Sequence, residues 1–592
     1  MGNGILMKIL FFSPHAGIWA HAFPEALIAE SLKQRGHEIV YVTCEQSFEE
    51  FCTVMTAYGL TNSADSEKKQ SVCQTCNQYK KIITDKFEFR NYSLKDHLDN
   101  SDYREIEMHL QAVNQENFSD FSLEGIEIGR LTLYQMLLEY KKNSLNFTPE
   151  EWERCLIDLK NTLVTYYAAK KILLQEKPDA LVVYNSLYSV NHLLCKLAHK
   201  NKIMQYFLHA GGNLATRLET MILGENDGFQ YYRHLLARWH DFKHVPCQEK
   251  LISKVNAHLL SVIQGATVFS YSQGVGIGQV DIHRFFGIKP SQKIILATMS
   301  SNDERFAASI VRAYNQSDSV LFATQFDWLK AIIEYVKHRS ELFLIIRVHP
   351  REFPNRRDSV ISQNYNQIQE VFSQLPSNVK INWPEDKISL YHLAQETDLC
   401  LNSWSSAGKE LAALGIPVLL YSEELQVYPP DLNYVGETLC DYFSLFEQAL
   451  RDGWDFERAR KAYRWYAFEY FRTTLDISDS YKVKTQTFPR KVYQKCMRMV
   501  DTVALQKADC RQRAKNLASG GIINEIISNK KRSILDVLDA NMLESTSFEN
   551  ETDYLKKYLN IVFKTLEINN TKKSLLLHNF QKYLTLSEKQ HA

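Results

Sequence analysis

Four loops, each following a short apolar run, hold the residue types that can do chemistry. The first is Ser13-Pro14-His15-Ala16-Gly17-Ile18-Trp19-Ala20-His21, with Glu25 four residues further on. An imidazole held there can take a proton from a hydroxyl near neutral pH, the task of a general base. The plain alternative is a set of loop and capping residues. The second is Arg347-Val348-His349-Pro350-Arg351-Glu352, directly after Leu344-Ile345-Ile346. Arg347 and His349 at a strand end can clamp phosphate oxygens through charge-assisted hydrogen bonds, and Pro350 stops the strand. A surface salt-bridge cluster is the rival reading. The third, Asn402 to Glu410, carries Ser405 and Ser406 between a strand and a helix. Hydroxyls and free N–H groups there make an anion site, or only a serine cap. The fourth, Thr298 to Arg305, offers Ser300 and Arg305 to a phosphate. A fifth strand end, His209-Ala210-Gly211-Gly212, belongs to a cleft or acceptor surface on the same logic.

These loops need a scaffold, and the pattern supplies one. The apolar run Lys8 to Phe12, a helical stretch from Pro24 to Arg35 stopped by Gly36, and the strand His37 to Thr43 form a βαβ unit. Such a unit demands a parallel sheet with helices on its faces. The rhythm lapses over 61–165, which is polar and then helical (Leu131 to Tyr140, Trp152 to Leu173), and reads as an insertion. It resumes with Ala180 to Tyr184 and Met204 to Leu208. A second α/β block begins at Lys293 and carries strands at Leu342 to Val348, Val379 to Ile381, Leu399 to Leu401 and Pro417 to Tyr421. Beyond about residue 450 the pattern is helical. The expected organisation is a Rossmann-like domain over 7–270, a second over 285–450 and a helical tail over 451–592. In open parallel sheets ligands sit beyond the carboxyl ends of the strands, where all five loops lie.

Composition removes several classes. The chain has 592 residues with 45% hydrophobic, enough for more than one core. Lys plus Arg and Asp plus Glu both count 69, so no basic surplus points to nucleic acid. With 22 glycines and 14 prolines it is neither collagen-like nor linker-rich. Lys8 interrupts the apolar start, no small-residue cleavage site follows, and no run of 18 apolar residues occurs. The expected location is the cytoplasm, where eleven cysteines serve as thiols or metal ligands before disulfides.

Taken together, these residues resemble the GT-B glycosyltransferases, whose two Rossmann-like domains face each other. The start is similar to the hydrophobic-acceptor members, which share Gly-His-x-x-Pro, a helix, and Arg-Gly-His-Glu-Val. Here the runs are Ala20-His21-Ala22-Phe23-Pro24 and Arg35-Gly36-His37-Glu38-Ile39, with Ala20 where that group has glycine. The resemblance implies that His21, ahead of His15 and Glu25, is the catalytic base. The second block resembles bacterial capsule and surface-polysaccharide transferases, through His349-Pro350, Ser405-Ser406 and Glu410-Leu411-Ala412-Ala413-Leu414-Gly415-Ile416-Pro417-Val418. It implies a nucleotide-sugar donor, a CMP-sugar such as CMP-Kdo foremost, bound by Arg347, His349, Ser405, Ser406, Glu410, Ser300 and Arg305. The acceptor would be a growing surface polysaccharide or lipid-linked glycan. Inversion with no divalent metal is the expected course. The rivals are a polyol phosphotransferase of the teichoic-acid type, a nucleotide-sugar epimerase and a non-catalytic assembly subunit.

Three further features stand apart. Cys44, Cys52, Cys73 and Cys76 end in a zinc-knuckle pair, so either a structural zinc or four free thiols is expected. The span 482–516 holds ten basic residues against Asp501 and Asp509, which fits a solvated helix face or an anionic membrane surface at the inner leaflet. Gly274-Val275-Gly276-Ile277-Gly278 lacks dinucleotide spacing and reads as interdomain linker.

Overall fold

The structure is a computed structural model describing residues 6–591 apart from 267–268, 272, 276–279, 316–320, 356–358, 423–427, most of 481–516, and 568–573. Two sheets organise it. The first contains β1 (Lys8–Phe12), β2 (Glu38–Thr43), β3 (Arg90–Ser93), β4 (Ala180–Tyr184), β5 (Met204–Ala210) and β6 (Thr220–Glu225). The second contains β7 (Lys293–Thr298), β8 (Leu342–Arg347), β9 (Val379–Asn382), β10 (Leu399–Asn402), β11 (Val418–Leu420) and β12 (Tyr434–Val435). A last strand, β13 (Leu475–Asp476), returns to the first sheet.

The strand orders are β13-β6-β5-β4-β1-β2-β3 and β12-β11-β10-β7-β8-β9. Read from the first strand outward, both follow the doubly wound 3-2-1-4-5-6 sequence. The second sheet is parallel throughout, whereas β6 and β13 run antiparallel at one edge of the first. Central strands such as KILFF and ALVVY are apolar at nearly every position because helices cover both faces. In register, Leu10 lies beside Val40 and Leu181, and Leu296 beside Ile345 and Cys400. Gly36, at a φ of 99°, turns the chain from helix Trp19–Lys33 into β2. The molecule is thus an α/β protein of two Rossmann-like domains, the GT-B architecture.

Two expectations need correction. The stretch 61–165 is not wholly an insertion, because Arg-Asn-Tyr-Ser at β3 adds the outer parallel strand of the first sheet. An edge strand of polar residues carries no apolar run by which to read it. The helices of this stretch also tie the two domains together. Arg351 donates to the Leu138 carbonyl at 3.0 Å, buried Lys141 donates to Phe353 O at 3.2 Å, and Arg312 meets Glu127 at 2.6 Å.

The residues after 450 are likewise no appendage. β13 pairs with β6, placing Leu475 beside Met221, and helix Gly520–Ser528 packs on helix Trp19–Lys33, with Asn524 2.9 Å from His37. Fully buried Glu551, on helix Phe548–Leu566, accepts from Arg460 at 3.1 Å, Arg464 at 2.9 Å and the Cys247 N–H at 2.7 Å. A buried carboxylate is tolerable only when so paired. Among the described residues no helix is long and apolar enough to cross a membrane. The basic span 482–516 lies outside the described residues but for isolated positions.

Candidate active site

Each sheet reverses its order beside its first strand, between β1 and β4 and between β7 and β10. Ligands of doubly wound folds bind at such points, and a cavity lies at each. The larger, about 240 Å³, opens between the domains. From the second domain it receives Thr298, Arg347, His349, Tyr391, Ser405, Ser406 and Glu410; from the first domain and the linker come Arg217, Phe269 and Tyr271.

The geometry of this cavity is set by neighbouring backbone. Arg347 ends β8 buried, donating to Asn382 Oδ1 and, at 2.9 Å, to the Ile388 carbonyl. Burial pulls its pKa down to about 10, which still leaves a full cation at neutral pH. His349 Nδ1 accepts the Arg351 N–H at 3.2 Å, so the ring proton sits on Nε2 as a donor. Burial, reinforced by Arg351 and Arg347, pulls its pKa down to about 3, and the imidazole is neutral. Arg351 itself is committed to Asp303 at 2.6 Å and to the Tyr271 hydroxyl at 3.0 Å. Ser406 Oγ donates to Glu410 Oε1 at 2.9 Å while the Tyr391 hydroxyl donates to Oε2 at 2.6 Å. Behind this wall, Lys409 is buried against Glu469 at 2.6 and 2.8 Å, which braces the helix.

The smaller cavity, about 10 Å³, holds room for roughly one water. It is lined by Ser13, His15, His21, Glu25, Tyr184, Tyr188 and Asn191, so all three expected base candidates do meet. The His21 ring stacks on Tyr184 with centroids 4.0 Å apart, and the His209 ring lies 5.9 Å from the same tyrosine. His15 stands edge-on to Tyr188 at 5.7 Å. Burial pulls the His15 and His209 pKa values down to about 4. It pushes the Glu25 carboxyl up to about 8, against an opposing hydrogen bond from Ser13. Glu25 Oε1 is buried with no hydrogen-bond partner, consistent with a protonated acid at neutral pH. His21, half-buried, is the most open of the three.

Gly211 and Gly212 serve packing at the end of β5. A Cβ on Gly211 would stand 2.1 Å from the Thr220 hydroxyl, and one on Gly212 would stand 2.3 Å from the Tyr470 ring. Ser300 lines neither cavity: its backbone N–H and carbonyl are held by Gln325 at 2.7 and 3.0 Å. Arg305 turns into a separate pocket beside Trp404. The patterning missed Arg217, which sits on the short turn Arg217–Glu219 between β5 and β6 with no apolar run before it. Its charge bears on Tyr184, Tyr188 and His209 while its side chain lines the larger cavity, so it links the two. Proximity to the β5 end at His209 was the one available signal.

The cysteines gather at the outer end of the first crevice. Cys76 Sγ accepts the Gly17 N–H at 3.1 Å, and Cys52, Cys73 and Cys76 pack around Phe51, Val54 and Met55. Burial, followed by repulsion from Cys76 and Cys52, pushes the Cys44 thiol well up, and burial puts Cys73 and Cys76 near 11 and 12. None of the four is in a disulfide. Among the described residues, no three His, Cys, Asp or Glu side chains stand close enough to hold a metal ion.

No protein-family model and no curated protein matches the chain. Solved structures overlap it at low similarity. The beta Kdo 2,4 transferase KpsC of Thermosulfurimonas dismutans is 13% identical, over 54% of this chain and 87% of its own, at a TM-score of 0.33. The calicheamicin glycosyltransferase CalG4 is 13% identical over 78% and 94%, at 0.24. A UDP-GlcNAc 2-epimerase from Neisseria meningitidis bound to UDP-GlcNAc is 12% identical over 78% and 97%, at 0.25. At these values none of them bears on the reaction of this chain, and the chemistry has to be read from its own side chains.

Proposed function

We propose that the protein is a glycosyltransferase that moves a sugar from a nucleotide-sugar donor, a CMP-sugar such as CMP-Kdo, onto a growing bacterial surface polysaccharide or lipid-linked glycan. The carrying observation is the interdomain cavity, where Arg217 and Arg347 converge with the His349 Nε2–H and the Ser405 and Ser406 hydroxyls. The two cations with the neutral His349 and Ser405 donors, around a space of that size, suit a nucleoside phosphate. The Glu410 carboxylate, already fixed by Tyr391 and Ser406, is an acceptor for ribose hydroxyls. Cytidine is preferred on the resemblance of His349-Pro350 and Ser405-Ser406 to the capsule transferases.

In this reading the acceptor approaches from the β1–β4 crevice. His21 takes the proton of the acceptor hydroxyl as its oxygen bonds to the anomeric carbon. The bond from that carbon to the donor phosphate breaks, and the electron pair leaves on the phosphate. Arg217, Arg347 and His349 bear that developing charge, the work a bound divalent ion does elsewhere. One displacement inverts the anomeric centre. His15 is too weak a base after burial, and Glu25 holds its proton at neutral pH.

The test is a thermal-shift series with CMP, CDP, UDP and GDP on the wild type and on His349→Ala. A ligand that binds the native state raises the midpoint by mass action. The expected result is a CMP-selective rise that His349→Ala removes. A rise with UDP or GDP keeps the transferase and discards cytidine. No rise with any nucleotide overturns the reading in favour of a non-catalytic assembly subunit.

A further inference from the structure

A third cavity, about 330 Å³, lies on the far side of the two loops that wall the nucleotide cavity. Loop Thr298 to Arg305 gives Thr298 and Met299 to the nucleotide side, and Asn302 and Arg305 to this one. Loop Asn402 to Ser406 gives Ser405 and Ser406 to the first, and Trp404 to the second. Nothing in the proposed displacement uses this space.

Its lining has a distinct chemistry. Arg305 is held between two rings, 4.5 Å from the Trp404 centroid and 5.1 Å from that of Tyr314, and donates to the Tyr314 hydroxyl at 2.8 Å. The Trp404 indole N–H donates to the Ser301 carbonyl at 3.3 Å, which fixes the ring and through it the guanidinium plane. Neutral amides of Asn143, Asn302, Asn364 and Gln367 complete the polar surface. Asn143 donates to Asn364, whereas the Asn302 and Gln367 side chains hold no hydrogen bond among the described residues. Phe306 and Phe326 add apolar surface. None of the described residues lining the cavity is Asp or Glu.

One positioned cation, several amides and aromatic surface, with no carboxylate among the described lining residues, match a particular ligand chemistry. Sugar hydroxyls pair with amides that both donate and accept, the C–H face of a pyranose lies on aromatic rings, and a carboxylate pairs with a guanidinium. We infer that this pocket binds an acidic saccharide unit, with Arg305 on its carboxylate and Asn302 and Gln367 on its hydroxyls. A phosphate site would call for more cationic donors than one arginine. The inference rests on the proposed reaction only in taking the neighbouring cavity as the nucleotide's place.

The experiment titrates the full-length protein with D-glucuronate and with D-glucose, read by saturation-transfer NMR, with and without saturating CMP. Glucuronate is expected to bind at least about 10-fold more tightly than glucose, the worth of one hydrogen bond to a charged group. Arg305→Gln is expected to erase that preference while leaving the CMP thermal shift intact. Asn302→Asp, which sets a negative charge in the pocket without disturbing the stacked arginine, is expected to erase it as well. Equal binding of the two sugars, a preference that survives both variants, or displacement of glucuronate by CMP would each overturn the inference. Sugar preference without any nucleotide shift would keep this pocket and sink the transferase reading.

Discussion

The β1–β4 and β7–β10 crevices occupy the same place in the same strand order, yet their contents differ. At β1–β4, tyrosines close over His15, His21 and Glu25 until roughly one water fits. At β7–β10, the loops stand apart and leave about 240 Å³ ringed by Arg217, Arg347 and His349. In the first, burial neutralises two groups: His15 is deprotonated and Glu25 protonated near pH 7. In the second, Arg347 is as deeply buried but keeps its charge, because a guanidinium pKa of about 10 is still far above neutrality. The fold therefore decides where ligands are met, and side-chain chemistry decides which. A tight neutral pocket suits proton transfer from a hydroxyl; an open cationic one suits phosphate.

The contrast can be broken by mutation. The largest effect is expected from His21→Ala, which should cut turnover about 10²–10⁴-fold, the range of general base catalysis, with nucleotide binding unchanged. Equal turnover in the variant would leave the first crevice without a catalytic role. Arg217→Ala should weaken CMP binding by roughly 10- to 100-fold, as the loss of a hydrogen bond to a charged group implies. Isothermal titration reads this directly, and an unchanged affinity would remove Arg217 from the phosphate site. Gly212→Ala should lower unfolding free energy by about 1–3 kcal/mol in urea, because its Cβ overlaps the Tyr470 ring. A neutral result would mean that the junction between β5 and the returning C-terminal segment is slack.

A further test sharpens the comparison through pH. Glu25 has a folded pKa near 8 against an ordinary value of 4.5, so the native state binds more protons than the unfolded one between those limits. Its contribution to stability is complete below about pH 4.5 and is lost as pH rises through 8, by at most about 1.4 kcal/mol per pH unit. His15, with a folded pKa near 4 against 6.5, acts in the opposite sense and favours the native state as pH rises from 4 to 6.5. Glu25→Gln should flatten the fall toward pH 8 in urea midpoints taken from pH 5 to 9. An unaltered slope would place the charge of Glu25 in contact with solvent.

Much of the architecture was legible from the chain. The strands Ala180–Tyr184 and Lys293–Thr298 coincide with the apolar runs, because a parallel strand covered on both faces must be apolar at nearly every position. Strand-end logic also brought His15, His21 and Glu25 into one cavity and Arg347, His349, Ser405, Ser406 and Glu410 into another. What stayed hidden shares a cause. β3 is a polar edge strand, β13 is two residues long, and Arg217 sits on a turn, so none has a local period. Their positions come from contacts with residues far along the chain: β13 with Met221, and Arg217 with a cavity completed by His349. Arg305 makes the same point, since a phosphate-ready position after β7 was turned instead between Tyr314 and Trp404. Local patterning reports the burial of a residue's own element. Which distant side chains share a cavity depends on how those elements pack, and that packing is settled only in three dimensions.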